Sequence, residues 1–498
     1  MLLEEGRTCL RVTRANRAAL LVDMACYFEA AKVAMQRAQR SIHFLNWAFE
    51  HDTFFHPGPD GSGDEDDRFG NFLKHLAATR PDLDIRILCW NSAMPVAATQ
   101  RFFPFADRKA FAGTRVRFVL DGKLPAGACH HQKMLVVDDQ IAFCGGGDIG
   151  PDRWDTTKHL DDDPRREKTR RDHKDFDSRH EVMGIVDGDA AVMLSEIFRE
   201  RWLRATGEAI DPCQQSQSPA WPECVEPDFH DIDVGAARTH GAWRAYPQVR
   251  EVEALHIASI KAARKSIYME NQYFTSPLIA EALASRLRET GGPEVMLIST
   301  QHSPSYFDQA TMDKTRLDFV AHLKAADVHG RFRAYSPVTT LGRTIIVHAK
   351  LTIIDDVLLR IGSANINNRS MGFDTECDLC IEASGPGATA AGARIAQLRT
   401  RLLAHWFGCD EGVVSAAIDA EGAITRAVER LRASGYTRLR PIGSGRMNAL
   451  SAAVATYHIG DPVASADAWR PWRRRAALQA NLKAFAFDPS HAKLVPEH

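Results

Sequence analysis

An α/β fold with a duplicated core is what this sequence predicts, and three observations predict it. Helix-like and strand-like signals alternate along the chain, as in layered α/β architectures. A string of reactive residues occurs twice with identical spacing. It runs His131-Gln-Lys133, four residues, Asp138, six residues, Gly145-Gly146, and again His348-Ala-Lys350, four residues, Asp355, six residues, Gly362-Ser363. A second pattern repeats at a similar offset, Ser41-Ile-His-Phe-Leu-Asn-Trp47 against Ser266-Ile-Tyr-Met-Glu-Asn-Gln272. Equal spacing predicts two lobes about a pseudo-twofold axis, each a mixed β-sheet flanked by helices, with both strings facing one cleft.

The elements follow the same order in each half. Amphipathic stretches at 24–39 and 252–265 read as helices before the Ser41 and Ser266 strands, which read as the first strand of each lobe. Helices at 69–78 and 279–289 follow, then strands at 84–90 and 294–300. Strands at 115–120 and 331–335 lead into the two strings. Met134-Leu-Val-Val137 and Leu351-Thr-Ile-Ile354 are short β-branched runs that read as buried strands. Residues two apart on a strand point the same way, so His131 shares a face with Lys133, and His348 with Lys350. Asp138-Asp139 and Asp355-Asp356 read as turns, and second apolar runs lead to Gly145-Gly146-Gly147 and Gly362-Ser363, where backbone can approach a ligand closely. Asp148 and Asn365 each stand seventeen residues after their histidine. Helices at 190–204 and 390–404 close the two lobes.

The remaining stretches read as connections. Residues 54–67 form a loop near the entrance. Residues 208–240 carry Pro212, Pro219, Pro222 and Pro227 and read as the linker between a first lobe at 1–207 and a second at 241–408. Residues 409–498 form a small C-terminal extension of unknown role. Within it 419–432 reads as an amphipathic helix and Arg470-Pro-Trp-Arg-Arg-Arg475 as a basic-aromatic cluster. The basic residues of 161–177 are matched by seven acidic ones, which favours a solvated loop over a lipid-binding one.

Composition excludes some classes of function. The chain has 498 residues, 45% of them hydrophobic, enough for a large core. Lys and Arg number 62 against 64 Asp and Glu, a net charge of −2 that argues against a nucleic-acid partner. No apolar run is long enough to span a membrane, and the N-terminus lacks a basic region followed by an apolar one. A cytoplasmic chain is expected, at most peripheral at a membrane, with export lacking a cleaved signal left open. The ten cysteines are scattered, which suits reduced thiols. Cys377 and Cys380 spell C-x-x-C, but in a strand-like setting that turns them to opposite faces.

Two imidazoles and two ammonium groups suit a phosphodiester. The ammonium groups neutralise charge on the non-bridging oxygens. One imidazole attacks phosphorus and the other protonates the leaving oxygen. A carboxylate behind each histidine would fix its tautomer. His180 either lines the pocket or packs beside it. Asp138 and Asp355, grouped with the catalytic motif, are expected to brace the hairpins rather than act as bases.

The paired HxK(x)4D strings resemble the phospholipase D superfamily. Ile267-Tyr-Met-Glu-Asn-Gln-Tyr-Phe274 is similar to a segment of its lipid-acting members, as are Gly362-Ser-Ala-Asn-Ile-Asn-Asn-Arg-Ser-Met371 and Gly145-Gly-Gly-Asp148 with Arg153-Trp-Asp155. Arg179-His-Glu-Val182 places Glu181 where the family usually has Asp, and Asp374-Thr-Glu376 resembles the family's second carboxylate segment. The resemblance covers roughly residues 15–407. It implies two fused phospholipase D-like lobes, a phosphohistidine intermediate formed on His131, a proton donor in His348, and no cofactor or metal in the chemical step. Lys133, Lys350 and Asn365 would hold the phosphate, with Gly146 and Ser363 beside it. Asp148 either follows the lipid-acting subgroup or weakens phosphate binding in its half. The implied substrate is a phospholipid at a membrane surface, and the acceptor is water or an alcohol. Phospholipase D is the first reading and cardiolipin synthase the second. A nuclease and a non-catalytic lipid-binding module are further alternatives.

Overall fold

The computed structural model describes residues 1–92, 103–166, 177–213, 221–303, 306–443, 457–458, 460–468 and 470–484. A single sheet of 16 strands organises them. Val12–Val22 and Phe229–His240 pair antiparallel at its centre, with Arg14 opposite Asp233. Outward from Val12–Val22 lie Val182–Asp187, Ile141–Gly145, Met134–Val137, Ser41–Asn46, Asp84–Trp90 and Arg117–Asp121. Outward from Phe229–His240 lie Glu376–Glu382, Leu358–Gly362, Lys350–Ile354, Ser266–Asn271, Glu294–Ile298 and Phe332–Pro337. Leu439–Pro441 adds a strand at that edge. The sequence of parallel and antiparallel pairings is the same in both directions. Among the described residues no helix is long and apolar enough to cross a membrane.

The two central strands are the main departure from the expected order, because each precedes the strand read as the first of its lobe. Val12–Val22 opens with Thr13, Arg14, Asn16 and Arg17, and Phe229–His240 carries Asp231 and Asp233 after a proline-rich stretch. Their polar residues mask the apolar alternation that marks a half-buried strand. The stretch read as a linker therefore ends in a strand that joins the two halves, while 214–220 lies outside the described residues.

Strand alternation builds the core. Ile42 and Phe44 pack with Leu73 and Ile85 on the helix-covered face of the first half, while Leu45 and Val136 face the other side. That other side forms one apolar cluster reaching from Phe198 and Trp202 to Ile353, Leu398 and Trp406. Cys377 belongs to this shared cluster and Cys380 to the core on the opposite face of the sheet, so strand geometry separates them.

Other differences are local. The expected helix at 419–432 is two helices, Glu411–Glu421 and Ile424–Ala433, because Gly422 adopts φ 62° between them. The second half inserts a long helix, Tyr306–Ala326, where the first half has the short Pro104–Ala110. Of the basic stretch, 167–176 lies outside the described residues, and Arg165 pairs with Asp163 at 2.6 Å.

Asp138 and Asp355 perform the same structural task. The Asp138 carboxylate accepts the backbone N–H groups of Gln39, Arg40 and Ser41, each at 2.7 Å. Asp355 accepts those of Arg264, Lys265 and Ser266 at 2.7–2.8 Å. Both adopt left-handed backbone, φ 53° and 51°, tolerated better by Asp than by most residues. Each clamps the turn from a helix into the strand beside its motif strand. Asp138→Ala strands three amides and should cost about 3 kcal/mol. Urea unfolding should show a lower midpoint at unchanged slope, and an unchanged midpoint would refute the clamp.

Candidate active site

The two strings meet through an exchange of partners. His131 Nδ1 lies 3.0 Å from Glu376 Oε2, 245 residues further along the chain. His348 Nδ1 lies 2.7 Å from Glu181 Oε1, close enough to pair though off the hydrogen-bond axis. Each imidazole is backed by a carboxylate from the other half, which leaves Nε2 for a substrate. The backbone repeats the exchange. His131 N–H donates to Thr375 O at 3.0 Å, and His348 N–H donates to His180 O at 2.8 Å. Thr375 and His180 are the residues just before the two glutamates, so main-chain pairing sets where each carboxylate stands.

The lysines lie beneath the histidines. Lys133 Nζ donates to His131 O at 2.7 Å and lies 3.4 Å from Asp148 Oδ2. Lys350 Nζ donates to His348 O. A methyl group on Gly146 would meet Glu181 Oε2 and His348 O at 3.0 Å and Lys350 Cδ at 3.2 Å, so the first string's glycine lies directly against the second string. Asp138 and Asp355 stand at the far ends of the motif strands, occupied with backbone amides, and do not reach this site.

Equivalent positions do unlike work. Ser363, the counterpart of Gly146, gives its hydroxyl to Glu376, and Ser370 does so at 2.6 Å. Glu181 receives no hydroxyl among the described residues, and Arg153 Nη1 lies 3.9 Å away. Asp148 Oδ1 accepts the N–H groups of Trp47 and Ala48, each at 3.0 Å. Asn365 does not copy this. Asn271 Oδ1 accepts the N–H groups of Tyr273 and Ile366 instead, each at 3.1 Å, and Asn365 Oδ1 is buried without a hydrogen bond. Asp148 is thus committed to backbone and to Lys133, while the Asn365 oxygen is uncommitted.

Burial governs the charges. It pulls His131 well below the usual histidine range, helped by Lys133 and Lys350. It does the same to His348, helped by Lys350 and Arg153. Both rings are depressed, so this property does not tell them apart. Burial also lowers Lys350 to about 7 and raises Glu376 to about 8. The site favours neutral forms, and an entering anion would restore the charge of Lys350.

Several supporting residues escaped the sequence reading. His130 Nε2 lies 3.0 Å from Asp121 Oδ2. Arg201 donates to Asp121 at 2.7 Å and to Gln132 at 3.0 Å, and Gln132 donates to Glu376 O at 3.2 Å. Asp461, in the C-terminal extension, accepts the N–H groups of Asn368 and Arg369 and the Thr275 hydroxyl at 2.9–3.0 Å. The extension thereby braces the loop that follows Asn365. Apart from His130–Asp121, these partners lie about 70 to 240 residues apart, and no local pattern marks them. His180 does not line the pocket. It is fully buried, 3.0 Å from Asp23 and 2.8 Å from Glu270.

Comparison with known proteins bears on this geometry. Residues 256–401 match the family model described as cardiolipin synthase, PLD-like domain. Phospholipase D A of Dictyostelium discoideum is 24% identical over 426 residues, covering 72% of this chain and 32% of that protein. Cardiolipin synthase 2 of Bacillus cereus is 25% identical over 248 residues, covering 50% of this chain and 40% of that protein. The chain therefore spans well under two thirds of these relatives. The crystal structure of phosphatidylserine synthase from Haemophilus influenzae Rd KW20 superposes with a TM-score of 0.53 at 14% identity, covering 78% of this chain and 87% of that one. This likeness establishes a shared fold.

The depressed basicity of His131 is directly measurable. Its ring protons, assigned by loss of signal in His131→Gln, should show no titration between pH 8 and 6, where an ordinary histidine changes charge. A midpoint near 6.5 would contradict the burial described.

Proposed function

We propose that this chain is a phospholipase D-superfamily enzyme that cleaves glycerophospholipids at a membrane surface, releasing phosphatidic acid through a phosphohistidine. One observation carries this reading. Two imidazoles, each backed by a buried carboxylate from the opposite half, stand with two lysines at one site. A binding module has no use for a nucleophile and proton donor braced in this way.

The steps follow from the groups present. Lys133, Lys350 and Asn365 hold the phosphoryl oxygens. His131 Nε2 attacks phosphorus, forming a P–N bond as the bond to the head-group oxygen breaks. His348 gives its proton to that departing oxygen. Water then loses a proton to His348 and attacks phosphorus, and the P–N bond breaks to regenerate His131. His348 must enter protonated, against its depressed basicity. The diester's negative charge and the Glu181 carboxylate at 2.7 Å offset that cost. Glu376 supports the charge that develops on His131.

A second reading shares the intermediate and changes the acceptor. The matched family model and the Bacillus cereus relative support a cardiolipin synthase, in which a phosphatidylglycerol hydroxyl replaces water. Vesicles of phosphatidylcholine, phosphatidylethanolamine or phosphatidylglycerol, with and without a primary alcohol, separate the two. Phosphatidic acid, with phosphatidyl alcohol when alcohol is added, supports the hydrolase. Cardiolipin from phosphatidylglycerol supports the synthase, and no turnover of any lipid would overturn both. His131→Ala and His348→Ala should each lower turnover at least about 1,000-fold while the protein stays folded.

The pH profile tests Lys350. Its ammonium group is charged below about 7 and loses its proton as pH rises through that value. The kcat/KM, which reports the free enzyme, should therefore fall on the alkaline side of about 7. Lys350→Arg keeps its charge throughout and should remove that limb even if its rate is lower. An unchanged alkaline limb would assign it to another group.

A further inference from the structure

Behind His348 and apart from the phosphoryl site, four side chains from distant segments turn towards one point. Asp23 precedes helix Met24–Gln36, His159 lies in the loop after the first string, His180 sits in strand Arg179–His180, and His405 lies in the last turn of helix Ala388–Phe407. One ligand atom of each lies within 4.8 Å of all the others. His159 Nε2 is 3.2 Å from His405 Nε2 and 3.5 Å from Asp23 Oδ2, and His180 Nδ1 is 3.0 Å from Asp23 Oδ1. Ligands bound tetrahedrally at about 2.0–2.1 Å stand about 3.3 Å apart; these three contacts lie near that value, and the remaining separations stay within 4.8 Å.

Hydrogen bonding leaves this group incomplete. Asp23 Oδ2 and His180 Nδ1 are buried without a hydrogen-bond partner, in residues 1% and 0% exposed. Asp23 occupies the N-cap position of its helix, yet its side chain makes no capping hydrogen bond. Such a residue ordinarily turns onto the helix amides, and this one turns to the histidines. Two ring nitrogens, of His159 and His405, face each other at 3.2 Å.

The outer partners are those that metal-bound histidines carry. His180 Nε2 lies 2.8 Å from Glu270 Oε2, and His159 Nδ1 lies 2.9 Å from Asp155 Oδ2. Both carboxylates are anchored in turn, Glu270 by Trp406 Nε1–H at 2.8 Å and Asp155 by Arg179 N–H at 2.9 Å. In the tautomers that donate to these carboxylates, His180 Nδ1 and His159 Nε2 present lone pairs to the common point.

We propose that Asp23, His159, His180 and His405 bind one divalent transition-metal ion, zinc by its donor set of three imidazoles and a carboxylate. The site is structural and stands apart from the proposed phosphoryl chemistry. It joins the two halves, since His405 comes from the second and the other three from the first. It also fixes the support of the second string. Asp23 Oδ1 accepts the Glu181 N–H at 3.1 Å, and His180 O accepts the His348 N–H at 2.8 Å.

The test is zinc binding by the full chain, read by elemental analysis and thermal unfolding. Protein stripped with a chelator and dialysed should take up one zinc per chain from zinc alone, with an upward shift of roughly 5–10 °C in Tm. His131→Ala should bind the same amount. His405→Ala, at a half-buried position, and Asp23→Asn should each bind under about a tenth of an equivalent and lose the shift. Where a variant fails to fold, cobalt in the wild-type protein decides, because a tetrahedral site of nitrogen and oxygen donors gives intense visible bands. Failure of the wild-type chain to bind zinc would overturn the proposal and leave a metal-free imidazole–carboxylate network. Undiminished binding by folded His405→Ala would overturn it equally.

Discussion

The exchange of carboxylates between the halves is the contact on which the rest of the site depends. Glu376 stands behind His131 and Glu181 behind His348, so neither motif histidine takes its carboxylate from its own half. The main chain enforces the exchange through hydrogen bonds from His131 to Thr375 and from His348 to His180. The antiparallel pairing of Val12–Val22 with Phe229–His240 aligns the halves so that these contacts can form. Burying two imidazoles, two lysines and two glutamates together is costly unless each finds a partner. The crossed geometry supplies partners that one half alone does not.

Duplication does not make the halves chemically equal. Two hydroxyls hold Glu376, whereas a glycine faces Glu181. Asp148 spends its charge on Lys133 and two amides, while the Asn365 side-chain oxygen is uncommitted. The proposed double displacement asks its two histidines for different work, one to bond phosphorus and one to move a proton. Substitution at Gly146/Ser363 and Asp148/Asn365 lets identical spacing coexist with unequal roles.

Much of this was legible in the sequence because it is local. The motif strands and the helices around them follow from periodicities of a few residues. The bracing role of Asp138 and Asp355 was also legible in outline, although they hold the turn before the neighbouring strand rather than their own hairpin. What stayed hidden is non-local. The strand Phe229–His240 carries prolines before it and Asp231 and Asp233 within it, so its pairing is specified by neighbours more than 200 residues away. Glu181 and Glu376 could be nominated, but their exchange could not, because spacing along a chain does not state which half a side chain faces. Asp461 gave no signal, since its partners are backbone amides about 90 residues earlier.

The separation of His131 from Glu376 also sets when the site can exist. The 245 residues between them take on the order of 10–50 s to synthesise at typical elongation rates. Throughout that interval the emerging first half holds its histidine and lysine without the carboxylate that orients the ring. The His131–Glu376 pair is therefore assembled late, and a chain halted midway is released without it. Crossed construction makes completion of the fold the condition for assembling both histidine–carboxylate pairs.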